Sequence, residues 1–81
     1  MRLLVIYSDG TEQNINAVDD AEILAFVVGG TPKATQYNND FVAVYSDEAS
    51  KSKPNRIDTK KQLFGAVAIM RREEYENVIY R

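Results

Sequence analysis

The chain has 81 residues, which is the length of one small domain. Hydrophobic residues make up 44% and charged residues 27%, a balance typical of a folded globular domain and not of a disordered chain. Cysteine and histidine are absent, which excludes disulfides, thiol nucleophiles, zinc–thiolate sites and histidine general bases. We therefore expect a protein that is not an enzyme and that uses no metal or cofactor.

The net charge of −2 conceals an uneven distribution along the chain. Residues 1–40 carry six acidic and two basic side chains, a balance of −4, whereas residues 51–61 carry five basic and one acidic, a balance of +4. A polarised domain of this kind steers charged partners toward one surface. The alternative is a lysine-rich loop that is merely solvated, and the sequence leaves both readings open.

Membrane and export signals are missing from the pattern. The longest apolar runs, such as Ile23–Val28, fall far short of the roughly 20 residues that cross a bilayer. The run Leu3–Ile6 is too short for the apolar region of a signal peptide, and no small-residue cleavage site follows it. We expect a cytoplasmic protein without a membrane partner.

The first elements predicted are two strands joined by a turn. Arg2–Tyr7 is a continuous apolar, β-branched and aromatic run, and Ser8–Gly10 has the residues that end a strand. Thr11–Ile15 then returns as a more polar edge strand. Together the two segments predict a β-hairpin.

A helix is predicted next. Asp19 is a suitable N-cap and Glu22, three residues later, completes an acidic capping box. Gly29–Gly30 ends the helix, and Pro32 prevents its continuation. The predicted apolar face consists of Ile23, Leu24, Phe26, Val27 and Val28.

Two further strands are predicted at Lys33–Tyr37 and Phe41–Tyr45. Residues 46–56 are rich in Ser, Lys and acidic residues and indicate an exposed basic loop.

The remainder of the chain predicts a short helix and a last strand. Asp58 or Thr59 caps the short helix, which runs through Leu63–Phe64 and is closed by Gly65, and Ala66–Met70 forms the strand. Residues 71–81 either extend that strand or form a short tail helix, with 72–81 the possible tail.

The predicted order β-β-α-β-β-(α)-β indicates a single α+β domain over residues 1–81. Short connections favour antiparallel pairing, and one main helix covers one face of the small sheet. A core of this size is marginal and the sheet has open edges, so we expect the chain to form a homo-oligomer.

The candidate binding residues lie mainly in the basic segment 51–61. Arginine suits forked phosphate recognition, and an asparagine amide can read a base edge. Gly29–Gly30 follows a helix and does not open one, so it is either a helix stop or a turn that lets a ligand approach the backbone. Nucleic acid is disfavoured as a partner, because the chain is acidic overall and carries no nucleic-acid-binding motif. The candidates are Lys51, Lys53, Asn55, Arg56, Lys60, Lys61, Gly29 and Gly30.

Four motifs carry a family resemblance: Val28–Gly30, Ser46–Glu48, Pro54–Arg56 with Thr59, and Gly65–Ile69. In this order, over residues 20–70, they resemble a bacterial and phage domain family of unknown function with the pattern V-G-G, two strands, N/D-E, P-x-N or N-x-x-x-T, and G-x-V-x-I. The sequence departs from the family pattern in its Lys- and Ser-rich loop and in Asp58, where the family has Ala. The resemblance implies a phage or mobile-element accessory protein, and no catalytic residue carries over from it.

Two functional hypotheses result. The first is a protein that binds and inhibits a host protein complex, such as a defence complex, in the host cytoplasm. The second is an oligomeric sponge that sequesters a nucleotide-type signalling molecule between protomers, through Gly29–Gly30 and Asn55–Arg56.

Overall fold

The structure is a computed structural model that describes residues 1–80. Within this range five strands form one antiparallel sheet in the order β2-β1-β5-β4-β3, with two helices on it, which confirms the predicted α+β fold. The predicted strand ends differ from the observed ones by at most one residue. The elements are β1 (Arg2–Ile6), β2 (Glu12–Asn16), α1 (Ala21–Val28), β3 (Lys33–Gln36), β4 (Phe41–Tyr45), β5 (Val67–Arg71) and α2 (Arg72–Ile79).

The central strands are buried on both faces, because each face of the sheet has its own cover. Successive side chains of a strand point to opposite faces. On the helix side Val42, Val44, Ala68 and Met70 pack with Leu24 and Val28 of α1 and Val78 of α2. On the loop side Ala43, Tyr45, Val67 and Ile69 pack with Leu63 and the partly buried Ile57 of residues 46–66. The domain therefore has a third, irregular layer in addition to the sheet and the helix layer that the sequence predicts.

The N-terminus of α1 differs from the prediction by one residue. Asp20, with extended backbone angles, is the N-cap, and its Oδ1 accepts a hydrogen bond from Glu22 N at 2.8 Å. The carboxylate of Asp19 instead accepts from the amino group of Met1 at 2.9 Å. That contact is available because Met1 continues the β1–β2 ladder by pairing with Ala17. The C-terminus agrees with the prediction, since Gly29 has the left-handed φ of 82°.

The buried face of α1 is narrower than predicted. Leu24 and Val28 are buried, but Phe26 is 88% exposed. At 100° per residue Leu24 and Val28 share a face, whereas Phe26 lies on the opposite side of the helix.

The predicted short helix through Leu63–Phe64 is wrong. Residues 53–55 pair with residues 63–65 across the loop instead: Asn55 N donates to Leu63 O at 2.8 Å, and Gly65 N donates to Lys53 O at 2.7 Å. These cross-loop hydrogen bonds replace the ones a helix would make within itself.

The C-terminal segment forms a helix, which decides between the two alternatives left open by the sequence. α2 follows β5 directly and packs Tyr75, Val78 and Ile79 against the helix side of the sheet. Arg81, the last residue of the predicted tail, lies outside the described residues. Neither helix of residues 1–80 is long and apolar enough to cross a membrane.

Candidate binding site

Four loop segments come together at one end of the sheet. The registers Ile6↔Val67, Val44↔Ala68 and Lys33↔Tyr45 place the ends of β1 and β4 beside the starts of β5 and β3. The turn 7–11, the connection 29–32 and both ends of the loop 46–66 therefore emerge together. Most of the predicted binding residues lie in these segments.

A basic cleft of about 940 Å³ opens at this end, between the turn 7–11 and residues 52–56. The turn contributes hydroxyl groups and the carboxylate of Asp9, which is bonded to Thr11, and the loop contributes two cations. The lining residues are Tyr7, Ser8, Asp9, Thr11, Ser52, Lys53, Pro54, Asn55, Arg56 and Gln62.

Asn55 anchors the loop that forms one wall of the basic cleft. It is only 2% exposed, and its Nδ2 donates to Ile6 O at 2.8 Å and to Gly65 O at 2.9 Å. Its Oδ1 accepts from Ile57 N at 3.0 Å. The amide thus joins the loop to the end of β1 at Ile6, and it ties together the two arms of the loop through Gly65 and Ile57. In the single chain Asn55 therefore positions the loop, and the expectation that its amide reads a base edge stays a prediction.

Lys53 and Arg56 are the cations of the basic cleft. Both are exposed, and neither side chain has a hydrogen bond or ion pair within residues 1–80. An unpaired guanidinium presents forked donors that match a carboxylate or a phosphate. These two side chains therefore make this side of the cleft suited to an anionic group.

The other predicted cations do not join this cleft. Lys51 Nζ lies 4.8 Å from the centroid of the Phe64 ring, a cation–π contact. Lys60 lines a separate cavity of about 360 Å³ beside Gln36 and Tyr37. Because the segment 51–61 crosses the loop side of the sheet, its five positively charged side chains do not form one patch.

Lys61 lies in a fourth place, beside Asp47. Its Nζ donates to Tyr45 Oη at 2.9 Å, which raises the pKa of Lys61, and lies 3.6 Å from Asp47 Oδ1. Lys33 Nζ donates to Asp47 Oδ2 at 2.6 Å, and this hydrogen bond lowers the pKa of Asp47 and raises that of Lys33. Lys61 is therefore engaged within the chain.

Gly29–Gly30 has a neighbour from its own chain. The carboxylate of Glu48 accepts a hydrogen bond from Thr31 N, which lowers the pKa of Glu48. A Cβ at Gly30 would collide with this carboxylate and with Ser46 Oγ. The glycine turn does allow a close approach to the backbone, but the group that approaches is Glu48. Neither glycine lines the basic cleft, and the expectation that Gly29 and Gly30 contact a ligand stays a prediction.

The turn 7–11 is the part of the cleft that sequence reasoning missed. Asp9 Oδ1 accepts from Thr11 N at 2.9 Å and from Thr11 Oγ1 at 2.7 Å, and these bonds lower the pKa of Asp9. Tyr7 Oη donates to Gln13 Oε1 at 2.8 Å. The Asp-Gly turn was visible in the sequence, but no local signal places it opposite residues 52–56.

Within residues 1–80 no group of three or more Asp or Glu side chains is arranged to hold a metal ion. Comparison with protein-family models, with curated proteins and with solved structures gives no match to this chain. The site is therefore interpreted from its own chemistry: an open cleft on a fixed wall, with two available cations.

Proposed function

We propose that this chain is a non-enzymatic binding protein whose basic cleft takes an acidic segment of a polypeptide partner. The observation that carries the proposal is the pair Lys53 and Arg56, which line the cleft without partners within residues 1–80. The wall that carries them is held to the sheet by the buried amide of Asn55. A fixed wall lowers the entropy lost when a partner binds.

The open shape of the cleft favours a polypeptide over a small molecule. Small-molecule sites enclose most of their ligand, typically about 70–90% of its surface. Here the two walls are a short turn and one strip of loop, and the hydroxyls of Ser8 and Ser52 suit backbone or side-chain contacts along an extended segment. A carboxylate that binds Arg56 would remain part of a larger molecule outside the cleft.

The family resemblance of residues 20–70 extends the proposal to a biological setting. It favours a phage or mobile-element accessory protein, with a host protein complex in the host cytoplasm as the partner. Occupying an acidic surface of that complex would inhibit it by competition with its own ligand.

A nucleotide-type ligand is the second candidate, and one observation favours it. Tyr7 lines the same cleft as Lys53 and Arg56, so an aromatic ring and two cations are available for a base and its phosphates. Gly29–Gly30 takes no part in this arrangement, because Glu48 lies against it. A sponge would therefore need a second protomer to complete the enclosure.

The test compares two double variants that remove the same charge. Lys53→Gln/Arg56→Gln removes the cations of the cleft, and Lys51→Gln/Lys60→Gln removes two from the same loop outside it. Binding of a fluorescein-labelled peptide of Asp and Glu is followed by fluorescence anisotropy at several salt concentrations. We expect the cleft variant to bind roughly tenfold or more weakly and the control variant to change by about twofold.

Equal losses in the two variants would contradict a specific site in the cleft. The same titration is repeated with a panel of mononucleotides and cyclic dinucleotides. Saturable binding of a nucleotide but not of the peptide, lost in the cleft variant, would replace the polypeptide by the second candidate.

A further inference from the structure

We infer that two copies of this chain pair through β2, antiparallel, with Asn14 of each copy facing Asn14 of the other. β2 is one edge of the sheet, and its side away from β1 has no pairing strand within residues 1–80. The inference goes beyond the proposed function and rests on the backbone and charges of this edge.

The hydrogen-bond pattern shows which groups of β2 point outward. Tyr7 N donates to Thr11 O, and Met1 and Ala17 exchange hydrogen bonds, so these two pairs are of the hydrogen-bonded kind. Hydrogen-bonded and non-hydrogen-bonded pairs alternate along an antiparallel ladder. With the register Leu4↔Asn14, the residues whose N–H and C=O groups point away from β1 are Glu12, Asn14 and Asn16.

The opposite edge of the sheet is less suited to pairing. β3 has four residues and starts immediately after Pro32, and proline near an edge limits strand addition. Its outward-facing backbone groups belong to Ala34 and Gln36, since Tyr37 N donates to Phe41 O. Proline and lysine protect an edge against strand addition, and β2 has neither; its one charged residue is Glu12.

A two-fold axis at Asn14 satisfies every outward backbone group of β2. Asn14 then pairs with the partner's Asn14, and Glu12 with the partner's Asn16, which forms six hydrogen bonds by the antiparallel rule. No like charges face each other in this register. On the helix side, Ile15 lies opposite the partner's Gln13, which covers part of its remaining exposed surface.

Charge complementarity supports the same register. Arg2 lies beside Asn16 in the sheet. In the dimer, the partner's Glu12 would lie on the other side of Asn16, on the same face of the joined sheet. Its backbone would be about 10 Å from that of Arg2, because two strand spacings of about 4.8 Å separate them. Both side chains are long enough to span that distance across Asn16. By symmetry the interface has two such pairs of Arg2 and Glu12, one at each end.

The interface is short, so the expected dimer is weak. Five residues per copy bury much less than the roughly 1,200–2,000 Å² of a stable complex. We expect monomers and dimers in exchange, with the mass measured by light scattering rising across micromolar concentrations.

The decisive variants are Asn14→Lys and Asn14→Glu, each of which places like charges opposite each other across the axis. Asn14 is exposed, and its side chain has no hydrogen bond within residues 1–80, so the fold is expected to persist and is checked by circular dichroism. Each variant alone should dimerise roughly five- to tenfold more weakly. An equimolar mixture of the two should regain the dimer, because Lys then faces Glu.

Matched controls are Gln36→Lys and Gln36→Glu on the β3 edge, which should leave the mass unchanged. Dimerisation through β2 is overturned if the unmodified protein stays monomeric at high micromolar concentration, or if the Gln36 variants weaken the dimer and the Asn14 variants do not. A mixture of Asn14→Lys and Asn14→Glu that remains monomeric would overturn the register centred on Asn14.

Discussion

The two faces of the sheet are covered by different kinds of structure. On the helix side, α1 and α2 supply regular helical faces, whereas on the loop side residues 46–66 form an irregular layer. The burial is nevertheless equally deep, with Leu24 0% and Leu63 1% exposed. An irregular segment can thus close a core as completely as a helix when its backbone groups find partners elsewhere.

The helices and the loop layer also differ in how their backbone hydrogen-bonding groups are satisfied. A helix satisfies its own backbone, so α1 needs only the cap at Asp20 and the stop at Gly29. The loop depends on the pairing of residues 53–55 with 63–65 and on the amide of Asn55. That amide joins the loop to β1 at Ile6 and to its own far arm at Gly65, and the basic cleft is built on the wall that it holds.

The largest effects are expected from truncating one core residue on each side of the sheet, which tests whether the loop layer is as much a part of the core as the helices. Leu24→Ala and Leu63→Ala should each lower the free energy of unfolding by about 2–5 kcal/mol, because each leaves a cavity among buried neighbours. Urea unfolding followed by circular dichroism measures both. A loss below about 1 kcal/mol for Leu63→Ala beside a full loss for Leu24→Ala would show that the loop layer is not part of the cooperative core.

The next largest effects should come from the two anchors. Asn55→Ala leaves the carbonyls of Ile6 and Gly65 without their donor and should cost about 3 kcal/mol. Asp20→Ala removes only an exposed cap from α1 and should cost about 1 kcal/mol. The same unfolding experiment ranks them, and a cost for Asp20→Ala equal to or above that for Asn55→Ala would contradict the role given to the buried amide.

The helix side of the sheet could be predicted from the sequence better than the loop side, because regular elements leave local patterns and an irregular loop does not. β-branched runs, turn residues and helix caps are local signals, so the five strands, α1 and the Gly29 stop could be predicted from the sequence, whereas α2 was one of two alternatives. The loop layer has no period: Asn55 donates a hydrogen bond to Ile6 O, 49 positions away in the chain, and the local pattern around Leu63 predicts a helix that does not form. Lys53 and Arg56 were among the predicted binding residues because local charge density is visible, but their separation from Lys60 and Lys61 depends on the path of the loop.

Phe26 provides a smaller test on the helix side. It is a large apolar residue on α1, yet its exposure predicts that Phe26→Ser changes the free energy of unfolding by no more than about 0.5 kcal/mol. Leu24→Ala is the matched comparison on the buried face of the same helix. A loss for Phe26→Ser comparable to that for Leu24→Ala would mean that Phe26 is covered in the folded protein.

The smallest expected effect is a pH dependence of the free energy of unfolding, which arises from the contact between Glu48 and Thr31. The hydrogen bond from Thr31 N lowers the pKa of Glu48 in the folded chain. Its contribution to stability is therefore present above the pKa of an unfolded glutamate and is lost as the pH falls through the folded value. Glu48→Gln should flatten this acid limb of the stability curve. An identical acid limb in the variant would show that Glu48 makes no such contribution.

The most direct test of the central claim, that the basic cleft is the binding site, is an NMR titration of the ¹⁵N-labelled protein with the acidic peptide. The proposal predicts shifts concentrated in the amides of residues 7–11 and 52–56 and in the Arg56 side chain. Amides of residues 29–31, where Glu48 already lies, should stay unchanged. Shifts centred on residues 29–31 or on α1, with the cleft unaffected, would contradict the claim.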